Sequence, residues 1–219
     1  MTNTASWFDQ AFAGAPVMAI LRGMGIERSV RLATTAWDLG IDLVEVPLQA
    51  PEDERALHEV ARLAEERGKC VGAGTIVAAE QIPLAQRGGA RYLVSPGLDA
   101  SLVRTAQERG IPILPGVATP SEVQAASRLG LRWLKAFPAH WLGVEWFRHM
   151  RGPFPGLRFV ATGGLDARNA AQFLDAGVRV VAVGSALEDA TQLEQLADIL
   201  RQRQRPISPA DSSVRNTHA

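Results

Sequence analysis

The chain has 219 residues, 47% of them hydrophobic, which is enough for one sizeable core and too few for two. Its 23 Lys plus Arg balance 23 Asp plus Glu, so the net electrostatic attraction that nucleic acids and anionic membranes draw on is missing, and neither is expected as a partner. A single cysteine, Cys70, and four His leave no intrachain disulfide framework and no Cys/His zinc cluster; no metal is expected, and a reducing cytoplasm fits.

The first fifteen residues lack a basic n-region, and no apolar run approaches the roughly 20 residues of a membrane-spanning helix, so neither export nor anchoring is expected. From there, eight β-branched or apolar runs follow in order: 17–21, 43–48, 70–73, 92–95, 111–114, 133–137, 159–161 and 180–183. The stretches between them carry apolar residues at helical spacing, as in Val30, Ala33 and Trp37, or Ala170, Phe173 and Leu174. Helix-start signals follow the strands at Asp99, at Ser121-Glu122 after Pro120, and at Asp166. Helix-stopping glycines precede the next strand at Gly40, Gly68, Gly88-Gly89, Gly110, Gly130 and Gly177, with Gly156 before the more irregular seventh run.

Eight strand–helix units predict parallel strands joined by right-handed crossovers, and the number eight predicts a closed (β/α)₈ TIM barrel with compact loops, an α/β fold filling residues 1–201. The polar remainder, 202–219, reads as a disordered tail. An open doubly wound sheet is the alternative. It ordinarily carries a glycine-rich dinucleotide fingerprint after the first strand, and Arg22-Gly23-Met24-Gly25 lacks the third glycine.

In such a barrel chemistry gathers at the carboxyl ends of the strands. The polar residues there are Arg22, Glu45, Gln49, Thr75, Ser95, Thr119, Lys135 and Thr162, followed by the turns Gly163-Gly164 and Gly184-Ser185. Only Lys69 and Lys135 among the 23 basic residues are lysines, which raises the question of what an amine does there that a guanidinium cannot. Lys135 shares a strand face with Trp133 and Phe137. Burial lowers a lysine pKa, and a partly neutral amine can attack a ketone to form a Schiff base; a structural ion pair with a glutamate inside the barrel is the other reading. Glu45, flanked by β-branched residues, either moves protons or neutralises Arg22 or Lys135. The two glycine turns read as a phosphate cradle or as tight turns only. No Ser/His/Asp elbow or Walker loop is present, and His140 and His149, nine apart, share no helical face.

Six strand-end motifs carry a family resemblance: Glu45-Val46-Pro47-Leu48, Gly72-Ala73-Gly74-Thr75, Ser95-Pro96-Gly97, Pro115-Gly116-Val117-Ala118-Thr119, Lys135-Ala136-Phe137-Pro138-Ala139 and Ala161-Thr162-Gly163-Gly164. In this order they resemble the 2-keto-3-deoxy-6-phosphogluconate/2-keto-3-deoxy-6-phosphogalactonate aldolases over residues 17–190. The resemblance implies a metal-free class I aldolase without a cofactor. Such an enzyme cleaves a phosphorylated keto-deoxy sugar acid to pyruvate and glyceraldehyde 3-phosphate, usually as a homotrimer. It implies Lys135 as Schiff-base lysine, Glu45 as general acid/base, and Thr75, Thr162, Pro96 and Phe137 around the pyruvyl group. Gly163, Gly164, Gly184 and Ser185 would hold the phosphate.

One position departs from the phosphogluconate pattern: where those enzymes commonly read Thr-Leu-Arg, this chain reads Pro47-Leu48-Gln49. An amide cannot make the bidentate pair an arginine makes with a carboxylate. The phosphogalactonate branch is more similar here and in Ile20-Leu21-Arg22-Gly23, with Arg22 as the substitute guanidinium, whereas Thr162 and the 135–139 run look more like the phosphogluconate branch. The expected substrate is therefore 2-keto-3-deoxy-6-phosphogalactonate, with the phosphogluconate or 4-hydroxy-2-oxoglutarate as alternatives. A phosphosugar isomerase or epimerase, and a non-catalytic phosphosugar-binding barrel, are the more distant ones.

Overall fold

A computed structural model describes residues 4–204. The strands are β1 (Val17–Ile20), β2 (Leu43–Pro47), β3 (Cys70–Gly74), β4 (Tyr92–Val94), β5 (Ile113–Leu114), β6 (Gly116–Val117), β7 (Trp133–Ala136), β8 (Arg158–Thr162) and β9 (Val180–Val183). All pair in parallel, in the spatial order β5-β4-β3-β2-β1-β9-β8-β7-β6. The two ends of that order, β5 and β6, are consecutive in the chain, so the sheet closes on itself and the fold is the expected (β/α)₈ barrel.

Nine segments stand where eight strands were expected because Pro115 divides the fifth. Proline has no N–H for the ladder. Its carbonyl still accepts from the Lys135 N–H at 2.9 Å, which carries the pairing across the break.

Period-2 alternation sorts each strand into two faces. Outward residues such as Val44, Val71, Leu93, Leu134 and Val181 pack under the helices in one buried cluster. Inward residues, among them Met18, Leu43, Tyr92, Leu114, Trp133, Val160 and Val180, fill the barrel. The helices between the strands are α2 (Gly25–Asp38), α3 (Pro51–Glu66), α4 (Gln81–Arg87), α5 (Ala100–Glu108), α6 (Pro120–Arg128), α7 (Ala139–Arg151) and α8 (Ala167–Asp175), closed by α9 (Ala190–Gln204). Asp99 and Asp166 cap α5 and α8 as expected, and the expected helix stops at Gly40, Gly68, Gly89, Gly110, Gly130 and Gly177 adopt left-handed φ. Gly88 keeps a right-handed φ of −70° as the C-cap of α4. Helix α6 is capped one residue earlier than Pro120, by Thr119. The Thr119 hydroxyl accepts from the Glu122 N–H, and the Glu122 carboxylate accepts from the Ala118 and Thr119 N–H groups.

The sequence reading assigns no element before Val17, yet a further helix, α1 (Thr4–Ala11), closes the amino end of the barrel. Phe8 and Phe12 join the interior cluster, Phe12 edge-on to Trp133 with ring centroids 4.7 Å apart. The Asp9 carboxylate accepts the Trp133 indole N–H at 2.8 Å and pairs with Arg158. A helix this short is marginal on its own, and its stability comes from this packing. At the other terminus α9 runs to Gln204, three residues past the expected boundary; the remainder of the proposed tail lies outside the described residues. No helix among the described residues is long and apolar enough to cross a membrane.

Candidate active site

Lys135 and Glu45 point into the barrel, toward its carboxyl end. Lys135, on β7, is 2% exposed, and its ammonium nitrogen lies 5.0 Å from the centre of the Phe137 ring. Glu45, on β2, is fully buried, and neither carboxylate oxygen has a hydrogen-bond partner among the described residues. The direct ion pair offered as an alternative for these two groups is therefore not formed. Burial lowers the Lys135 pKa and the Arg22 charge lowers it further, while the Glu45 charge holds it up. Burial likewise raises the Glu45 pKa, against the opposing pull of Lys135 and Arg22.

Room for the Glu45 side chain is made by β3. An ideal Cβ on Gly74 would lie 1.7 Å from Glu45 Oε1, and one on Gly72 would lie 2.2 Å from the Tyr92 ring. Two glycines on one strand thus admit a carboxyl at the upper level and a phenol ring below it. The Tyr92 hydroxyl donates to the Val44 carbonyl at 2.8 Å, so this polar tip is satisfied inside the core.

A cavity of about 720 Å³ opens at the carboxyl ends of the strands. Of the residues singled out in the sequence, it brings together Arg22, Thr75, Pro96, Lys135, Phe137, Thr162, Gly163, Gly164, Gly184 and Ser185. Glu45 lies beneath the lining, and Gln49 sits outside it on the exposed rim. Gln49 is nonetheless tied in: the Arg22 guanidinium donates to its amide oxygen at 2.7 Å and to the Thr75 hydroxyl at 3.3 Å. Thr75 is the sole non-glycine residue with positive φ among the described residues, at 56°. For a β-branched side chain that is a strained conformation of the kind that clusters at functional sites.

Gly163 and Gly164, with φ of 99° and 73°, form the turn after β8, closely covered by Phe137 and His140. The His140 N–H donates to the Gly163 carbonyl at 3.0 Å, and the Asn169 amide donates to that of Gly164 at 3.0 Å. Ser185 begins a 3₁₀ turn, Ser185–Glu188, after β9. Two polar strand-end residues are absorbed locally: the Ser95 hydroxyl donates to the Gly97 carbonyl at 2.8 Å, and Thr119 is spent on its cap. Sequence reasoning missed Asp166 and Glu188 as lining residues, the first because it reads as a helix cap and the second because only the fold turns it inward.

The two tryptophans of the 141–146 segment have different environments. Gly143, with φ of 74°, kinks α7 between them. Trp146 donates its indole N–H to the Ala118 carbonyl at 2.9 Å and stacks edge-on against Phe159, whereas Trp141 is 85% exposed.

A buried amine and a buried carboxyl thus lie at and just beneath a cavity bordered by two glycine-containing turns, at the carboxyl end of a (β/α)₈ barrel, where enzymes of this fold carry their chemistry. A family model described as KDPG and KHG aldolase matches residues 8–201, and the chain belongs to that family of class I aldolases. It is 31% identical to the 2-dehydro-3-deoxy-6-phosphogalactonate aldolase of Escherichia coli, over 81% of this chain and 86% of that protein. It is 32% identical to the 2-dehydro-3-deoxy-phosphogluconate aldolase of Dickeya dadantii, over 89% and 91%. Among solved structures it resembles the KDPG aldolase of Legionella pneumophila, captured with pyruvate as a covalent carbinolamine intermediate. That likeness has a TM-score of 0.77 and 27% identity, over 93% of this chain and 99% of that one.

Proposed function

We propose that this aldolase cleaves 2-keto-3-deoxy-6-phosphogalactonate to pyruvate and glyceraldehyde 3-phosphate through an imine on Lys135, without a metal or cofactor. The observation that carries the reading is Lys135: a buried amine with a lowered pKa in the cavity lining, beside a Glu45 carboxylate whose oxygens have no hydrogen-bond partner among the described residues.

In this reading neutral Lys135 adds to the C2 ketone, and the carbinolamine hydroxyl leaves as water with a proton from the Glu45 carboxyl, giving a protonated imine and an ionised Glu45. Glu45 takes the C4 hydroxyl proton through a water, the C3–C4 bond breaks, and its electrons pass to the iminium to leave an enamine. The aldehyde departs, Glu45 returns the proton to C3, and hydrolysis of the protonated imine frees pyruvate and neutral Lys135 and gives the released proton back to Glu45. Both duties suit a carboxyl whose pKa burial has raised. Thr75, Thr162, Pro96 and Phe137 border the pyruvyl group, and Gly163, Gly164, Gly184 and Ser185 hold the phosphate with backbone N–H groups and a hydroxyl.

The preference for the galactonate epimer is supported by Arg22 and Gln49. The Arg22 guanidinium donates to Gln49 and Thr75, and in this reading it also pairs with the substrate carboxylate. Phosphogluconate and 4-hydroxy-2-oxoglutarate are the alternative substrates. We further assign a homotrimer in the cytoplasm, on the family resemblance. Incubation with pyruvate and borohydride followed by mass measurement tests the imine: a pyruvyl adduct on Lys135 supports it, and an unmodified protein refutes it. The ratio of kcat/KM for the two C4 epimers tests the substrate.

A further inference from the structure

The phosphate end of the cavity has an unusual charge arrangement. Of the residues lining it next to the glycine turns, the charged ones are both carboxylates, Asp166 and Glu188. Asp166 is occupied: it caps α8 through the Arg168 N–H at 2.9 Å and pairs with the Arg168 guanidinium, its Nε at 2.9 Å. The Arg22 guanidinium reaches away, toward the ends of β2 and β3. Glu188 therefore stands at the subsite as a carboxylate, and its ion-pair partner is Arg28 in the first turns of α2. Both side chains are partly exposed, Glu188 at 33% and Arg28 at 45%, and Arg28 itself lies outside the cavity lining.

A substrate ending in a doubly charged phosphate is repelled by Glu188 unless that charge is cancelled. We propose that the Arg28–Glu188 pair is a specificity determinant for the terminal group of the substrate: Glu188 opposes the dianion, and Arg28 neutralises Glu188 so that the dianion is accepted. This rests on the phosphate assignment made above. Arg28 is a positioning and charge-setting residue, since it acts through Glu188. A charge of one against two across about 6 Å of solvated subsite corresponds to roughly a 3- to 10-fold effect on binding once salt screening is included.

The test is a set of four proteins: wild type, Arg28→Gln, Glu188→Gln and the double variant. For each, the ratio of kcat/KM for the 6-phosphate to that for the unphosphorylated sugar acid is measured, together with the Kd of inorganic phosphate by calorimetry. Arg28→Gln is expected to lower the ratio and weaken phosphate binding by about 3- to 10-fold. Glu188→Gln should shift both the opposite way by a similar factor, and the double variant should return to near wild type. Opposite signs are the readout that a merely structural ion pair does not produce, because loss of either partner would then act alike on both substrates. Single variants that move the ratio in the same direction, or leave it unchanged while wild type still gains the pyruvyl adduct, overturn this inference alone. A wild type that gains no adduct refutes the proposed reaction instead, and the inorganic phosphate affinities of the four proteins then still decide the charge relationship.

Discussion

Glu45 on β2 and Gly74 on β3 occupy one volume of the barrel interior: a methyl group on Gly74 would sit 1.7 Å from Glu45 Oε1. The carboxyl is seated on bare backbone, and its exclusion from water is what raises its pKa. Gly74→Ala is expected to push Glu45 aside, costing about 1–3 kcal/mol of stability by overpacking and a large part of kcat. Gly72→Ala, which meets the Tyr92 ring instead, should lower the melting temperature by a similar amount with a much smaller effect on kcat in the folded protein. Thermal melts and steady-state kinetics of the pair check this. Equal losses of kcat would argue that the strand distorts as a whole.

Lys135→Arg should keep the fold and abolish both borohydride trapping and cleavage, because guanidinium stays protonated and forms no imine. Lys69 pairs with Asp42 at the amino end of β3, far from the cavity lining, and Lys69→Gln should cost no more than about 1 kcal/mol and leave turnover intact. Substantial activity in Lys135→Arg would remove that residue from the mechanism.

Glu45→Gln should still trap pyruvate while turnover falls by roughly 10²- to 10⁴-fold, the range of a lost general acid/base. The trapping profile should also move to lower pH, because the Glu45 charge is what holds the Lys135 pKa up. The stability of the same variant carries a second sign. A carboxyl with a raised folded-state pKa contributes stability that is fully present below its unfolded value, near 4.5, and lost as pH rises through the folded value. Wild type should therefore lose stability relative to Glu45→Gln as pH climbs through that window. Denaturant titrations at several pH values measure it, and a pH-independent difference would contradict the raised pKa.

Ser185→Ala removes a hydroxyl from the proposed phosphate end of the cavity without disturbing backbone conformation. It is expected to raise KM for the phosphorylated substrate severalfold while pyruvate trapping persists, since binding energy remote from the reacting bond serves mainly to hold and orient the substrate. Gly164 is the poorer probe: a side chain there meets His140 Cβ at 2.6 Å and must adopt φ of 73°, so bulky variants report strain as well as binding. If the unphosphorylated sugar acid matched the 6-phosphate in kcat/KM, the phosphate assignment would be wrong.

Phe12→Ala should cost about 3–5 kcal/mol, because the ring fills the amino end of the barrel against Trp133. For a chain of this size that is a fall in melting temperature of roughly 10 °C or more. Chemistry at the opposite end should be retained at temperatures where the variant is folded; loss of trapping there would show that α1 also supports the site.

By itself the sequence determined the parallel barrel, the helix boundaries marked by Asp99, Asp166 and the left-handed glycines, and the inward face shared by Trp133, Lys135 and Phe137. These are local: period-2 and period-3.6 patterns and capping chemistry are written within a few residues of where they act. The strand-end motifs also located Lys135, Arg22 and the two glycine turns, since parallel strands carry their carboxyl ends to one side. Tertiary structure decided the rest. It placed Glu45 over Gly74, bound Gln49 to Arg22 across 27 positions, plugged the barrel with α1, and brought Glu188 to the cavity lining beside the glycine turns, paired with Arg28 160 positions away. The physical reason is closure: a ring of strands sets which interior side chains meet, and those distances depend on tilt and register that no single segment encodes.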